Sequence, residues 1–307
     1  MKIAVLGAGA MGCLYGAALA EKGNDVLFID VSEKTIETIN ENGVTLETDE
    51  GKRTVQARAC KAHETKEDFD LIILFTKTIH SRVALESIRH LLNKTVTVLT
   101  IQNGLGNKEL VEEFVEEKQI ILGMTGFPAD LHGSANVSSH GKSYTGIIDA
   151  CGAVSDNAVL VADEITKAGL NCKVTNEVFE YIWEKVCFNA AVNALCAATE
   201  LTVGQVGEFG GRELAYKIAQ EGIKAANLKG VDAKFEKVKE MLNHAFTAHY
   251  DHKPSMLQDV LCKRQTEIDS INGQIVKIAK ELGSPAPINE TVNALVLMKQ
   301  NSYKKHD

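Results

Sequence analysis

The chain has 307 residues, of which 45% are hydrophobic and 24% are charged, a composition typical of a globular protein with a substantial core. Its formal net charge of -8 gives no support to binding of nucleic acid or of an anionic membrane surface. No apolar run reaches the ~18 residues that a membrane-spanning helix needs, and no basic leader precedes the first apolar segment. These features predict a cytoplasmic protein.

Cysteine and histidine residues show none of the spacings that are typical of metal sites. The seven cysteines include no Cys-x-x-Cys pair, which favours reduced thiols over a disulfide framework. His140, His244, His249 and His252 match no recurrent ligand pattern, and positions on the surface or between helices are the simpler interpretation. The sequence therefore predicts no metal site.

The first thirty residues predict half of a dinucleotide-binding site. An apolar strand over residues 3–6 leads into a glycine-rich turn, a helical stretch and a second strand over residues 26–29. Gly7 permits a tight turn, Gly9 lets the backbone approach a pyrophosphate, and Gly12 lets the helix pack closely on the strand. This succession favours dinucleotide binding over a purely structural turn. The expected cofactor-binding residues of the turn are Gly7, Ala8, Gly9, Ala10, Met11 and Gly12.

Asp30 ends the second strand and is the predicted determinant of cofactor choice. A carboxylate at this position accepts hydrogen bonds from the adenosine ribose hydroxyls and repels a 2′-phosphate. The sequence therefore favours NAD as the cofactor, with NADP as the alternative.

Residues 1–174 alternate short apolar strands with helical stretches, which predicts a Rossmann-type α/β domain with a parallel sheet. A helix is expected between Ser32 as N-cap and Gly43 as C-cap. Two strands then form a hairpin, and continuous apolar strands follow over residues 71–75, 96–101 and 120–124.

Two polar residues follow the first two of these apolar strands. Lys77 comes after the strand over residues 71–75, and Asn103 comes after the strand over residues 96–101. Because ligands of such sheets lie beyond the carboxyl ends of the strands, both residues are expected at the sheet edge that carries the glycine turn.

Residues 175–307 change to long helical segments, which predicts a second, all-α domain. Helices are expected over residues 180–201, 211–229, 235–248, 266–282 and 289–299.

A polar stripe runs along the first of these helices. Lys185, Asn189 and Asn193 lie at positions i, i+4 and i+8, so they share one face of a helix that is otherwise apolar. Satisfaction by hydrogen bonds between domains is one interpretation. The other is a row that faces the substrate, in which partial burial lowers the pKa of Lys185 so that it donates a proton, while the two amides bind oxygen atoms.

A second polar segment spans residues 254–259 and 264–273. Thr266 and Asp269 have the spacing of a helix-capping arrangement, and Ser255 fits a simple turn or cap. Spacing alone does not decide between these structural roles and a functional one.

The motifs together resemble the ketopantoate reductase (2-dehydropantoate 2-reductase) family over nearly the whole chain. The resemblance rests on the glycine turn, Thr76-Lys77, Asn103-Gly104, the helix of Lys185, and the segment that begins at Ser255-Met256-Leu257-Gln258-Asp259 and ends at Asn272-Gly273. The last segment is the most specific of these matches.

The resemblance implies a role for each matching residue. Lys185 would be the general acid for carbonyl reduction, Asn103 would lie beside the nicotinamide and the substrate, and Lys77 would assist at the cofactor. Glu267 would hold the nicotinamide ribose. Substrate would be bound by Asn103, Asn189, Asn193 and Ser255.

The chain departs from the family pattern at two positions. Similar enzymes that use NADP carry an arginine just after the second strand, where this chain has Val31. Similar pantoate-forming enzymes place a substrate-binding asparagine where this chain has Val203, so the resemblance implies a more apolar pocket if Val203 lines it.

The expected function is reduction of a branched 2-oxo acid, with ketopantoate as the leading substrate and (R)-pantoate, a precursor in pantothenate biosynthesis, as the product. An NAD-dependent D-2-hydroxyacid (mandelate-type) dehydrogenase of broader specificity is one alternative. A non-catalytic dinucleotide-sensing protein is another, although a sensor has no need of the proton donor Lys185. A small-molecule substrate is the only partner expected, and a homodimer is left open.

Overall fold

The computed structural model describes residues 1–303, which form two compact units. The first unit contains residues 1–102 and 107–178, and the second contains residues 103–106 and the chain from residue 179 onward. The sequence suggested a division after residue 174, whereas the second unit begins at residue 179 and also includes a short loop from the first half of the chain.

The first unit contains the strands, whose short apolar segments are almost completely buried. They are β1 (Lys2–Leu6), β2 (Asp25–Ile29), β3 (Val44–Thr48), β4 (Gly51–Val55), β5 (Arg58–Cys60), β6 (Leu71–Leu74), β7 (Thr97–Thr100), β8 (Ile120–Thr125), β9 (Asp130–Leu131), β10 (Asn136–Ser139), β11 (Thr145–Asp149) and β12 (Cys172–Val174).

An eight-stranded sheet forms the centre of the first unit, in the order β12-β11-β8-β7-β6-β1-β2-β5. The six strands from β8 to β5 pair in parallel, and β11 runs antiparallel to β8. A second sheet has the order β4-β3-β10-β9 and contains the predicted hairpin of β3 and β4. The predicted Rossmann-type domain with a parallel sheet is confirmed.

The helices of the first unit follow the strands and cover the sheet. They are α1 (Ala10–Glu21), α2 (Glu33–Asn42), α3 (Thr78–Ser87), α4 (Asn107–Glu112) and α5 (Asp156–Lys167). Ser32 is the N-cap of α2, as predicted, since its hydroxyl accepts a hydrogen bond from the backbone N–H of Thr35. Gly43 ends that helix with φ of +75°, which glycine adopts without the steric cost that a Cβ would bring.

The second unit is helical in its described residues, as predicted. Its helices are α6 (Val178–Thr199), α7 (Val203–Glu208), α8 (Arg212–Leu228), α9 (Phe235–Ala248), α10 (Ser255–Leu261), α11 (Gln274–Glu281) and α12 (Pro287–Ser302). The first residue of α6, Val178, still belongs to the first unit.

The observed structure of residues 266–282 differs from the single helix that the sequence predicts. A five-residue π-helical segment, Asp269–Gly273, precedes α11, and residues 266 and 267 are not helical. The hydroxyl and the backbone N–H of Thr266 both donate to Oε1 of Gln300, at 2.8 and 3.1 Å, and the hydroxyl oxygen accepts the backbone N–H of Ile268 at 3.4 Å. Thr266 therefore combines a local hydrogen bond with a long-range contact to α12 that its spacing does not reveal.

Candidate active site

Two glycines in the turn between β1 and α1 lie so close to neighbouring atoms that any larger residue would collide with them. Gly7 has φ of +101°, and a Cβ there would lie 2.9 Å from the backbone nitrogen of Thr76. A Cβ on Gly12 would lie 1.9 Å from the carbonyl oxygen of Gly7, so α1 packs directly on the end of the strand. The packing agrees with the reasons for which the sequence analysis assigned glycine to these two positions.

The N-terminus of α1 is open at Gly9. Gly9 is the N-cap residue, and no described heavy atom lies within 4 Å of the position that a Cβ on Gly9 would occupy. No described side chain caps the helix, and its first turn contains no acidic residue. Backbone N–H groups at such a terminus attract anions, so this end of the helix fits the pyrophosphate of a dinucleotide.

Asp30 follows β2, and two backbone N–H groups fix its carboxylate. Oδ2 accepts a hydrogen bond from Ala8 at 2.7 Å, and Oδ1 accepts one from Ser32 at 2.9 Å. A carboxylate has about four lone-pair positions, so it retains the capacity to accept hydrogen bonds from ribose hydroxyls. The adjacent side chain, Val31, is 93% exposed and offers no positive charge to a phosphate.

The side chain of Gln102 connects the carboxyl ends of β6 and β7. Its Nε2 donates to the carbonyl oxygen of Thr76 and to Oγ of Ser81, and its Oε1 accepts from Thr100. Lys77 directly follows Thr76 and is the N-cap residue of α3. The structure therefore places Lys77 where the sequence analysis expected it, at the sheet edge that receives the ends of β6 and β7.

Asn103 belongs to the second unit, together with the rest of the loop 103–106. Leu105 joins the apolar core of that unit, and its backbone N–H donates to the carbonyl oxygen of Ser270 at 2.9 Å. Gly104 has φ of +88°, and a Cβ there would lie 2.6 Å from the same carbonyl oxygen. Because Gly104 has no side chain, the loop 103–106 packs directly against Ser270 of the π-helical segment, Asp269–Gly273.

The predicted polar stripe lies on α6 in the second unit. Asn189 and Asn193 are 8% and 6% exposed, although the helix around them is packed with apolar side chains. Burial disfavours the charged form of Lys185 and lowers its pKa from 10.5 to about 8, while the negative charge of Glu267 acts in the opposite direction. A lysine with this pKa is able to donate a proton near neutral pH.

Glu267 lies just before the π-helical segment and in the same unit as Lys185. Its electrostatic effect on the pKa of Lys185 indicates that the two charged groups lie close enough to interact. Its backbone carbonyl accepts hydrogen bonds from the N–H and the hydroxyl of Ser270, at 3.1 and 3.0 Å. The second unit therefore contains Asn103, Lys185 and Glu267, which are widely separated in sequence.

Two further positions from the sequence analysis have different surroundings. Ser255 is exposed and is the first residue of α10, whose N-cap is Pro254. Val203 is 1% exposed, belongs to the apolar core, and donates its backbone N–H to the carbonyl of His252 at 3.1 Å. The structure thus places Val203 among core side chains.

Sequence analysis missed three residues that support the site. Each forms a hydrogen bond with a residue that is distant in the chain: Gln102 with Ser81, Ser270 with Leu105, and Asn272 with Ala190. The only local signal for them was proximity to matched motifs, since Gln102 precedes Asn103 and Asn272 lies in the segment that ends the resemblance.

The described part of the chain, residues 1–303, holds no group of three or more histidine, cysteine, aspartate or glutamate side chains arranged to bind a metal ion. Within the same residues, no helix is both long enough and apolar enough to span a membrane.

Comparison with known families identifies both halves of the chain. The family "Ketopantoate reductase PanE/ApbA" matches residues 3–150, and "Ketopantoate reductase PanE/ApbA C terminal" matches residues 177–300. The chain belongs to the ketopantoate reductase family. The resemblance proposed from the sequence motifs is therefore confirmed.

Relatives and solved structures in this family match the chain over nearly its full length. A 2-dehydropantoate 2-reductase of Streptococcus pyogenes serotype M6 is 31% identical over 98% of both chains, and one of Pyrococcus horikoshii is 33% identical over 98% of both. The structure of D-mandelate dehydrogenase with NADH and anilino(oxo)acetate has a TM-score of 0.93 at 30% identity, covering 99% of this chain and 100% of the other. The 2-dehydropantoate 2-reductase of Geobacter metallireducens GS-15 has a TM-score of 0.90 at 28% identity, covering 97% and 99%.

Proposed function

We propose that the protein reduces a branched 2-oxo acid to the corresponding 2-hydroxy acid, with ketopantoate as the substrate and NADH as the electron donor. The observation that carries the proposal is Lys185, whose pKa of about 8 suits a general acid and whose helix also bears two buried amides. Relatives that are 31% and 33% identical over 98% of the chain are named 2-dehydropantoate 2-reductase, which supports this substrate.

The first unit would hold the cofactor through its backbone and two side chains. The open N-terminus of α1 would bind the pyrophosphate, Asp30 would accept hydrogen bonds from the adenosine ribose, and Lys77 would assist from its place after β6. In the second unit, Glu267 would hold the nicotinamide ribose. NADH is favoured over NADPH because Asp30 would repel a 2′-phosphate and Val31 offers no compensating charge.

The second unit would hold the substrate and supply the proton. Asn103, Asn189 and Asn193 would orient the carbonyl and hydroxyl oxygens of the 2-oxo acid, and Ser255 would bind its carboxylate. A bound nicotinamide supplies the hydride that reaches C2 of the substrate. Lys185 would give the proton on Nζ to the carbonyl oxygen as negative charge develops there, and would then recover a proton from water.

A D-2-hydroxyacid dehydrogenase of the mandelate type is the second candidate. The solved structure of D-mandelate dehydrogenase, at 30% identity and a TM-score of 0.93, favours it, and that structure contains NADH. The apolar Val203, where similar pantoate-forming enzymes carry a polar side chain, is compatible with either substrate because Val203 lies in the core.

Steady-state kinetics with three substrates and two cofactors separate these candidates. Ketopantoate, 2-oxoisovalerate and phenylglyoxylate are each assayed with NADH and with NADPH, and Lys185→Met serves as the inactive control. The highest kcat/KM with ketopantoate and NADH supports the proposal. A preference for phenylglyoxylate assigns the second candidate, a preference for NADPH overturns the cofactor assignment, and cofactor binding without turnover of any 2-oxo acid favours a dinucleotide-sensing protein.

The proposal includes a cytoplasmic location, which agrees with seven free cysteines, because reducing compartments keep thiols from pairing. A homodimer stays a prediction, and analytical ultracentrifugation of the purified protein checks it.

A further inference from the structure

The π-helical segment, Asp269–Gly273, is a local irregularity within the second unit. Helices of this type are rare, are mostly single turns, and occur frequently at functional sites, because the extra residue redirects side chains and backbone groups. Here the segment follows Glu267 and leads directly into α11. Its hydrogen bonds connect it to elements that carry the proposed catalytic and substrate-binding side chains.

One connection leads from the segment to the loop of Asn103. The carbonyl oxygen of Ser270 accepts the backbone N–H of Leu105 at 2.9 Å, and Gly104 packs against the same oxygen. The N–H of Ser270 donates to the carbonyl of Glu267 at 3.1 Å. Ser270 therefore relates the position of the Asn103 loop to that of Glu267.

Another connection leads from the segment to α6 through Asn272. This residue is completely buried, and its Nδ2 donates to the carbonyl oxygen of Ala190 at 3.0 Å. Ala190 follows Asn189 in the chain and lies on the helix that carries Lys185. The amide of Asn272 therefore joins the helix of the proton donor to the segment next to Glu267.

Asn272 also forms a hydrogen bond with α12, through Asn289. Its Nδ2 also donates to Oδ1 of Asn289 at 3.1 Å, and Asn289 is completely buried. Nδ2 of Asn289 donates to the carbonyl of Ile218 at 3.0 Å and to Oε2 of Glu221 at 2.9 Å. A continuous chain of buried hydrogen bonds thus runs from α8 through α12 and the π-helical segment to α6.

The orientation of Asn272 has an energetic cost. Among the described residues, none forms a hydrogen bond with its Oδ1, which is fully shielded within the core. A buried acceptor without a partner is destabilising, because it has lost its hydrogen bonds with water. The described bonds of this amide are thus the two that its Nδ2 donates, to Ala190 and to Asn289.

We propose that Asn272 is a positioning residue that holds α6 in register with the segment carrying Glu267 and the Asn103 loop. This inference rests on the proposed function of Lys185 as the proton donor. Without the bond to Ala190, α6 is free to shift relative to Glu267. A displacement of about 1 Å in such a site is able to lower turnover by about 10²-fold.

The test compares Asn272→Leu with Asn243→Leu, a matched control in the same unit. Asn243 lies on α9, and its side chain accepts a hydrogen bond from Tyr216 on α8. The readouts are kcat and KM, the pH dependence of kcat, and the pKa of the Lys185 ammonium measured by NMR with labelled lysine. The NMR measurement needs no turnover, so it still tests the inference if the proposed substrate is wrong.

We expect Asn272→Leu to lower kcat by about 10²-fold with little change in the KM for NADH. The pKa of Lys185 should rise toward the ordinary lysine value of ~10.4, because water reaches a displaced ammonium. Asn243→Leu should lower only the melting temperature. The inference is overturned if Asn272→Leu leaves both kcat and the pKa of Lys185 at the values of the control.

A second variant keeps the test decisive if Asn272→Leu does not fold. Asn272→Ser keeps a polar side chain but is too short to join Ala190 and Asn289, so it should change kcat and the pKa of Lys185 in the same direction. Equal values of kcat and of the Lys185 pKa in Asn272→Ser and in the wild-type protein would contradict the inference.

Discussion

The two units differ in which groups, backbone or side chain, they offer for binding. In the first unit, the contacts expected with the cofactor come largely from the backbone, through the turn at Gly7 and the open N-terminus of α1. In the second unit, the contacts expected with the substrate and with the nicotinamide ribose come from side chains, with Lys185 and Asn189 on one helix and Glu267 about eighty residues further along the chain. Where the backbone binds a ligand, a larger side chain blocks the approach of that ligand. Where side chains bind it, replacing their functional groups removes the contacts.

This difference predicts opposite responses to mutation in the two units. Substitutions in the glycine turn should change folding and cofactor binding. Substitutions on α6 should change turnover while the protein stays folded and binds NADH.

Replacement of Lys185 gives the largest expected effect and tests the second unit. Lys185→Met removes the proton donor but keeps a side chain of similar length, so kcat should fall by about 10²–10⁴-fold at pH 7. The Kd for NADH, measured by fluorescence titration, should change little. Lys224→Met is the matched control, because Lys224 is exposed on α8. Normal turnover in Lys185→Met would remove this residue from the chemistry.

The pH dependence of wild-type turnover sharpens the same comparison. The pKa of Lys185 is lowered to about 8, so the ammonium is present below pH 8 and is lost above it. Reduction requires the protonated form, so kcat for reduction should fall about tenfold per pH unit above that value, while oxidation of the hydroxy acid should rise through the same range. A reduction rate that stays constant up to pH 10 would contradict the assignment.

Two glycine substitutions test the first unit with effects of intermediate size. Gly12→Ala places a Cβ 1.9 Å from the carbonyl oxygen of Gly7, so it should lower the free energy of unfolding by about 1–3 kcal/mol or more. Gly9→Ala meets open space and should leave the melting temperature nearly unchanged. It should still weaken NADH binding by about tenfold, or ~1.4 kcal/mol, because its Cβ occupies the space expected for the pyrophosphate. Unchanged NADH affinity in Gly9→Ala would place the cofactor elsewhere.

The preference for NADH over NADPH tests the role of one side chain in the first unit, that of Asp30. The double variant Asp30→Ala with Val31→Arg removes a negative charge and adds a positive one, so it should move the ratio of kcat/KM for NADPH over NADH upward by about tenfold or more. The single variant Val31→Ala is the control and should leave the ratio unchanged. A ratio that does not move in the double variant would show that Asp30 does not discriminate between the cofactors.

The smallest expected effect on catalysis is at Val203. Because Val203 is 1% exposed among core side chains, Val203→Asn should lower the free energy of unfolding by about 1–3 kcal/mol through burial of an amide. The ratio of kcat/KM for ketopantoate over 2-oxoisovalerate should stay the same. A clear rise in that ratio would mean that this position contacts the substrate and that the apolar pocket suggested by the sequence comparison is correct.

The elements of the first unit were largely predictable from sequence because the residue patterns that define them are local. Strand, glycine turn and helix follow one another in the chain, and the cap at Ser32 is visible from residue types alone. The second unit was predictable only as a set of helices and a polar stripe. The contact of Thr266 with Gln300 and that of Asn272 with Ala190 depend on tertiary packing, which spacing does not encode.

The position of the loop 103–106 in the second unit also affects the order in which parts of the chain fold during synthesis. The ribosome releases this loop long before residues 268–272, yet Leu105 finds its apolar neighbours and the carbonyl of Ser270 only when that later segment has emerged. The parallel sheet has all its strands by residue 174, so it is able to assemble with this loop still solvated. A released fragment that ends at residue 178 should therefore protect its strands from proteases while it remains open to cleavage at Leu105.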